Sequence, residues 1–302
     1  MSATLLQLVQ QFALETGLIA KPSVVAASAD DGVLQAMALL NAAGYELQRQ
    51  HDWQWITKQN IIEASQYTLT GQTTINGGLL LDANASPPDD TYQVSGIGIN
   101  QGTFVASVVG TTVVNLTQLA TATSPASSVY TFGKVRYTMP TDYDRQIDRT
   151  HWDKSRHWEM LGPETAQQWE WLLSGYISTG PRIRYRIFGD FFQIWPMVQN
   201  HEMLGFEYIS NAWALDTNGV AQTSFLADTD TCVFPDRLMV LALKKKLWEI
   251  KGFDTSAITR DYEMQLSIAK ANDAGSATLS MAPRISNILI GYENIPDSGF
   301  GT

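Results

Sequence analysis

The sequence predicts an α+β fold with helices near both ends, an inserted antiparallel β domain and an extended C-terminal tail. Apolar residues recur at helical spacing up to about residue 50 and again after Pro235. Between residues 65 and 137, short β-branched and aromatic segments alternate with turn residues. From about Gly275 neither pattern continues, which favours an extended segment that becomes ordered against a partner.

The composition is typical of a globular protein whose surface is largely polar but uncharged. Of 302 residues, 44% are hydrophobic and 17% are charged, so the chain can bury a sizeable core. Such a surface favours packing against further copies, because few charges lose water at the contact. Cys232 is the single cysteine, which excludes an intrachain disulfide and multi-cysteine metal sites.

The net charge of -10 disfavours nucleic-acid binding as the main function, since affinity for DNA comes largely from Lys and Arg. No apolar run approaches the length of about 20 residues that a membrane span needs. The first residues also lack the basic stretch of an export signal. We therefore expect a soluble protein with no membrane association and no export signal.

Two amphipathic helices are predicted before the β-rich region. Apolar residues follow helical spacing over residues 4–15, and Gly17 is a suitable stop. A second helix is expected to begin near Ser28, which forms a capping pattern with Asp31, and to extend to about Gln50. Its predicted apolar face consists of Val33, Met37, Leu40, Ala43 and Leu47.

The pattern changes at Trp53, after which short strands are expected up to about Tyr137. Turn residues separate each β-branched or aromatic segment from the next. The predicted strands lie at residues 67–69, 79–81, 92–99, 104–109, 112–116 and 129–137. Together they predict a small antiparallel β unit inserted after the helices.

A helix and a β hairpin are predicted after this unit. The helix covers residues 164–173. Alternating residues at 182–187 and 191–195 predict a hairpin, joined by Gly189-Asp190. A third strand at residues 204–210 is expected to pair with the hairpin.

The last predicted elements form an antiparallel helix pair. Residues 235–251 have Pro at the start, one apolar face and Gly252 after the end. Ile258, Tyr262, Leu266 and Ala269 then repeat at nearly four-residue spacing. The short link at residues 252–254 makes the two helices neighbours.

The sequence contains none of the common catalytic motifs, so we expect neither enzymatic activity nor a cofactor. His151 and His157 have a spacing that matches no common metal motif, so metal binding is disfavoured. Asp228 and Asp230 resemble part of a calcium loop, but its Gly and its closing Glu are missing. A polar loop before the next helix is the favoured interpretation.

The nine Trp residues allow two interpretations. Aromatic faces stack well on flat partners, which favours a carbohydrate-binding protein. Burial in the core or at subunit contacts is favoured more, because most of them lie beside helix and strand patterns. These are Trp53, Trp55, Trp152, Trp158, Trp169, Trp171 and Trp195.

Three arginines are predicted to lie on one face of a strand. Arg182, Arg184 and Arg186 alternate with Ile183, Tyr185 and Ile187. A solvated strand face is one interpretation. The other is a basic face that meets acidic residues of a neighbouring subunit or phosphates in a channel, because Arg forms strong bidentate pairs with either.

Three segments carry a resemblance to a known family. Leu39-Leu40-Asn41 followed by Trp53-Gln54-Trp55 looks like that family's early helix and its aromatic exit into strands. Residues 137–143 look like its turn of the form Leu-Pro-x-Asp followed by Tyr or Phe, with Met139 in place of Leu, and residues 234–263 look like its final helix pair. The chain thus resembles the head-to-tail adaptor (connector) proteins of short-tailed bacteriophages, the tail tubular protein A group. The large β unit is a departure from smaller adaptors.

The resemblance implies a virion structural protein with a helical-bundle adaptor core. The core comprises residues 1–64 and 138–274, and residues 65–137 form the inserted β domain. The chain is expected to form a homo-oligomeric ring of twelve copies at the head-tail junction. Its implied partners are the portal protein and the tail tube or nozzle protein, with tail fibres as candidates for the β domain. Double-stranded DNA would pass through the ring without sequence-specific binding.

Portal docking is assigned to the extended tail at residues 275–302, through Met281, Pro283, Ile285, Ile288 and Ile290. Two alternatives remain. One is another neck, collar or tail tube component, and the other is a glycan-binding tail protein.

Overall fold

The computed structural model describes residues 2–82, 88–174 and 182–274, and these residues have a mixed α+β fold. The described α-helices are α1 (Leu5–Thr16), α2 (Asp31–Gln50), α3 (Ala166–Leu173), α4 (Asp236–Lys251) and α5 (Ser256–Ala274). A short 3-10 helix follows α2 at Gln54–Ile56. The predicted tail at residues 275–302 lies outside the described residues.

The described strands between α2 and α4 form antiparallel sheets. They are β1 (Thr57–Glu63), β2 (Gln66–Thr73), β3 (Leu79–Leu81), β4 (Tyr92–Ser95), β5 (Val105–Val109), β6 (Val113–Leu116), β7 (Ser128–Lys134), β8 (Arg136–Thr138), β9 (Tyr143–Gln146), β10 (Trp152–Asp153), β11 (Trp158–Glu159), β12 (Arg184–Phe188), β13 (Phe191–Trp195), β14 (Met203–Ser210), β15 (Ala214–Leu215), β16 (Ala221–Gln222) and β17 (Thr231–Cys232).

The two N-terminal helices form close to where the periodicity predicts them. α1 begins after Thr4, which exchanges capping hydrogen bonds with Gln7, and it ends at Gly17 with a left-handed φ of 65°. α2 begins after Asp30 rather than Ser28, because the Asp30 carboxylate accepts a backbone hydrogen bond at the helix start. The Ser28 hydroxyl instead accepts a hydrogen bond from the Asp30 N–H at 3.1 Å and so orients the cap residue.

α1, α2, α4 and α5 share one hydrophobic core, with α4 in contact with each of the other three. Trp213, which follows β14, enters this core and packs against α2 at Gly44. A Cβ atom at position 44 would lie 2.3 Å from the Trp213 ring. Gly44 therefore permits a close approach of α2 to the segment after β14, and this approach joins the helices to the β region.

A six-stranded sheet in the order β4-β7-β2-β3-β6-β5 surrounds a separate apolar cluster. Its first and last strands approach each other, because Gln93 bridges Phe104 and the Val94 N–H donates to the Thr103 carbonyl at 3.0 Å. The sheet is therefore nearly closed. Tyr130 is fully buried in this cluster.

The predicted hairpin is confirmed, but the predicted pairing of residues 204–210 with this hairpin is wrong. β12 and β13 pair antiparallel, and the strand that joins them is β8. β14 instead pairs with β1, β9 and β10 in a second sheet. The two sheets share the cluster that contains Phe192 and Phe206. β14 is buried over most of its length, so it takes a central place with partners on both edges.

Candidate functional surfaces

The three predicted arginines do not form one uniform basic face. Tyr185 between them is buried, as the alternation predicts, and Arg184 and Arg186 lie in β12. Arg184 pairs with Glu164 at 2.5 Å, and Arg186 lies over the ring of Phe188 at 5.0 Å. Arg182 precedes the strand and is exposed. The guanidinium of Arg184 is thus engaged within the chain, whereas Arg182 and Arg186 have no ion pair among the described residues.

The predicted docking residues of the tail all lie outside the described residues. They are Met281, Pro283, Ile285, Ile288 and Ile290. Their assignment remains a prediction from the sequence.

The two histidines considered for metal binding lie in different environments. His151 is buried, with its ring centroid 4.0 Å from that of Tyr185 and 5.1 Å from that of Phe206. Neither of its ring nitrogens has a hydrogen-bond partner among the described residues. His157 is exposed. Over residues 2–82, 88–174 and 182–274, no three His, Cys, Asp or Glu side chains are grouped so that they could hold a metal ion.

Asp228 and Asp230 lie in a polar loop before α4, as predicted. The Asp228 carboxylate accepts hydrogen bonds from the N–H groups of Val25 and Ala26 at 3.0 and 2.7 Å. Asp230 is buried and accepts two backbone hydrogen bonds within its own loop. The two carboxylates therefore fix this loop and attach it to the segment between α1 and α2.

Burial explains only some of the tryptophans. Trp53, Trp169 and Trp195 are buried in hydrophobic clusters. Trp55, Trp158 and Trp171 are 39%, 37% and 48% exposed, so packing in the core does not account for them. The Trp55 ring nevertheless stacks on that of Trp53, with centroids 5.2 Å apart.

Cys232 does not present a reactive thiol. The side chain is buried beneath the helices, and burial raises the pKa of the thiol to about 12. A thiol with so high a pKa stays protonated and is a poor nucleophile near neutral pH.

A charged junction connects α2 to the sheet that contains β14. The Asp142 carboxylate accepts hydrogen bonds from Lys58 at 2.5 Å, Ser210 at 2.7 Å and Tyr208 at 2.8 Å. Burial acts to raise the pKa of Asp142, but these hydrogen bonds outweigh burial and lower the pKa. Asp142 belongs to the turn that carries the family resemblance, and here its carboxylate ties β1 to β14.

Asp144 extends this junction to α2. Its carboxylate accepts hydrogen bonds from Gln48, Arg49 and Arg145 at 3.0, 3.3 and 2.7 Å. Burial again acts to raise the pKa, and the hydrogen bonds lower it overall. The C-terminal end of α2 is thereby held against β9.

An apolar groove lies between α1, α2 and the end of α4. It has a volume of about 250 Å³ and is lined mainly by Phe12, Leu18, Ile19, Ala36, Leu247 and Phe253. Leu18 and Phe253 at its rim are 47% and 46% exposed. Lys251 also lines the groove and has no ion pair within the described part of the chain. We call this feature the helix groove.

α5 carries a second exposed apolar surface. Tyr262 and Ala269 face the core, whereas Met264 and Ile268 are 56% and 47% exposed. Met264 and Ile268 are four residues apart and therefore lie on one side of the helix. Arg260, four residues before Met264, is exposed on the same side and forms an ion pair with Asp261 at 3.3 Å. We call Met264 and Ile268 the α5 ridge.

No described helix is long and apolar enough to cross a membrane. No protein-family model matches the sequence, and no curated protein matches it significantly.

Proposed function

We propose that this protein is a virion structural protein, a head-to-tail adaptor that forms a homo-oligomeric ring between the portal and the tail tube or nozzle. One observation carries the proposal. The chain bears two different exposed apolar surfaces, the helix groove and the α5 ridge, on helices that share one core. A contact between two different surfaces of identical subunits repeats around an axis and generates a ring when the rotation closes.

In this proposal the α5 ridge of one copy packs into the helix groove of the next. Both surfaces are apolar, so their contact removes hydrocarbon from water. The charged side chains on the ridge side of α5 are already paired within the chain, because Arg260, four residues before Met264, forms an ion pair with Asp261 at 3.3 Å. A second copy of this chain is therefore the proposed occupant of the groove, because it supplies an exposed apolar surface of its own.

The remaining parts have proposed roles as well. α1, α2, α4 and α5 form a helical-bundle adaptor core, the nearly closed sheet is an insertion that faces outward, and residues 275–302 dock on the portal. The net charge of -10 supports a channel through which DNA passes without adhering, because like charges repel. Arg182 and Arg186, which have no ion pair among the described residues, are the arginines proposed for contacts with an acidic neighbour.

Mass determination of the purified chain, alone and mixed with its portal ring, tests this function. Native mass spectrometry should show a stoichiometric ring of chains on the portal. A neck, collar or tail tube component would instead require an adaptor before it binds. No association with the portal under any condition would contradict the proposal and favour a peripheral tail protein.

Truncation after Ala274 tests the docking role of the tail. The hydrophobic clusters described above are formed by residues before 275, so the shortened chain is expected to fold. We expect it to lose portal binding while it keeps the circular dichroism spectrum and unfolding cooperativity of the full chain. Unchanged portal binding would remove the tail from the proposal and leave the ring contact untouched.

A further inference from the structure

A cleft of about 590 Å³ lies on the sheet face around β10, apart from the helix groove and the α5 ridge. Three strands build its floor. Gln59 of β1 is in register with Glu207 of β14, and Trp152 of β10 is in register with Gly205. Residues in register across antiparallel strands point to the same side of the sheet, so these side chains share the cleft face.

Gly205 leaves room for the side chain that closes one side of the cleft. A Cβ atom at this position would lie 2.5 Å from Cε of Lys154. The aliphatic part of Lys154 therefore passes directly over the glycine, and its ammonium group reaches the cleft, which it lines. Any larger residue at position 205 would displace this cation.

Hydrogen bonds within the protein hold the two loops that flank β10. Before the strand, Thr150 Oγ1 donates to the Ile147 carbonyl at 2.7 Å and accepts from the Glu207 N–H at 3.0 Å. After the strand, the buried Asp153 carboxylate accepts two backbone hydrogen bonds at 3.0 and 3.1 Å. These two side chains are engaged in the framework, so they are not the groups available to a ligand.

Arg149 and His157, one from each loop, have left-handed backbone conformations with φ of 63° and 58°. Such angles are uncommon for residues other than glycine and are maintained only where the surrounding structure enforces them. Both side chains line the cleft. The two turns thus place the guanidinium of Arg149 and the imidazole of His157 at the cleft, one before and one after Trp152 in the sequence.

Five polar side chains of the cleft have no polar partner within the described part of the chain. These are Arg149, Lys154, His157, Glu207 and Gln59. Arginine and lysine donate hydrogen bonds, the carboxylate accepts them, and the amide does both. A ligand that satisfies this set must itself carry both donors and acceptors.

We propose that this cleft binds an acidic saccharide, independently of ring assembly. Sugar hydroxyls both donate and accept, so they can use Gln59 and Glu207 together. An acidic group on the sugar would pair with Arg149 and Lys154 while the sugar hydroxyls donate to Glu207, whereas a bare inorganic anion such as sulfate has no donor for this carboxylate. The Trp152 ring supplies an apolar face against which the C–H groups of a sugar ring pack.

Binding to an array of acidic and neutral oligosaccharides tests the proposal with the full chain. The array carries uronate-, sialate- and sulfate-bearing sugars beside their neutral counterparts, at physiological salt. The site variant is Arg149→Asn with Lys154→Gln, since Asn tolerates a left-handed backbone. The matched control is Lys21→Gln with Lys270→Gln, which makes the same change in net charge at positions that do not line the cleft. Trp152→Leu is the third variant, and thermal unfolding verifies that each one folds.

The wild-type chain should bind at least one acidic sugar about tenfold more tightly than its neutral counterpart, and the site variant should lose this binding. The control should bind like the wild type. Trp152→Leu should weaken sugar binding without creating binding to inorganic phosphate in a parallel titration. The proposal is overturned if no sugar distinguishes the wild type from the site variant. It is equally overturned if the control loses binding too, because general charge attraction then explains the result.

Discussion

At the scale of single residues, the buried imidazole of His151 makes the stability of the fold depend on pH. Burial lowers the pKa of His151 from 6.5 to about 4. The unfolded chain therefore takes up this proton at a higher pH than the folded protein does. The resulting contribution to stability is fully present above pH 6.5 and is lost as the pH falls towards 4.

We predict that His151→Phe removes most of this dependence. Phenylalanine keeps a flat ring between Tyr185 and Phe206 and eliminates two buried nitrogens that lack partners in the described structure. Between pH 7 and pH 4 the free energy of unfolding should then decrease less in the variant than in the wild type. The difference between the two decreases should be on the order of 3 kcal/mol. Urea unfolding at both pH values measures this difference, with the exposed His157 changed to Asn as a control, because Asn tolerates the left-handed backbone at this position. An unaltered pH dependence in His151→Phe would contradict the assignment.

The sequence presents His151 and His157 as a pair whose spacing matches no common metal motif. It could not separate a core histidine from one at the edge of a cleft. Burial of His151 depends on Tyr185 and Phe206, which lie far along the chain. The left-handed turn at His157 likewise has no local sequence signal, because the residue there is not glycine.

At the scale of elements, the helices were predictable because their signals are local. The apolar periodicity placed α1, α2 and α4 within a few residues of their observed bounds. The partners of β14 were not predictable, because residues 203–210 pair with β1, whose residues are 57–63. Alternation along one strand shows which side is buried but does not identify the neighbouring strand.

The junction at Asp142 also acts at this scale, and we predict that Asp142→Asn loosens β1 from β14. The amide keeps one acceptor oxygen but loses the charge that pairs with Lys58, so we expect a loss of about 1–3 kcal/mol of stability near neutral pH. The folded-state pKa of Asp142 lies below its ordinary value of 3.8, so the carboxylate stabilises the fold above that pH. Its contribution is lost as the pH falls below 3.8.

Equilibrium unfolding of Asp142→Asn beside the exposed Asp148→Asn measures the effect. The two substitutions change net charge equally, so a difference between them reports the hydrogen bonds. Equal stability of the two variants would show that the hydrogen bonds to Asp142 contribute little. The gap between them should also close at a pH well below 3.8, where both carboxyls are protonated.

At the scale of the whole molecule, the proposed ring depends on a contact between the α5 ridge of one copy and the helix groove of the next copy. We predict that Met264→Glu on the α5 ridge and Leu18→Glu at the helix groove each prevent ring formation on the portal. Each places a carboxylate in an apolar contact, and the free-energy cost of removing it from water exceeds the gain from pairing with Lys251. Both positions are exposed in the single chain, so the folded monomer should keep its stability.

Light scattering of each variant with the portal measures this, beside Ile75→Glu as a control at an exposed position in the β region. The control should assemble like the wild type. Assembly of both Met264→Glu and Leu18→Glu to full occupancy would rule out the ridge-in-groove contact. Because the tail is proposed to contact the portal and the ridge and groove are proposed to contact each other, the two sets of variants separate docking from ring closure.

The general α+β class was predictable at this scale, whereas the cleft around β10 was not. Four of its lining residues lie within residues 152–157, a stretch that the sequence marked for its Trp and His content. The rest come from β1, from β14 and from the loop before β10. Only the register of β1 and β10 on β14 assembles them, and that register is a property of the folded sheet.

The near-closure of the six-stranded sheet bears on how copies of this chain can touch without aggregating. An open sheet has two edge strands whose unpaired backbone groups can recruit a strand from another molecule, which is a route to uncontrolled polymers. Here the bridge between Gln93 and Phe104 and the hydrogen bond from Val94 to Thr103 occupy backbone groups where the two ends meet. In the proposed ring, neighbouring copies of this sheet would therefore meet through side chains rather than through shared strands.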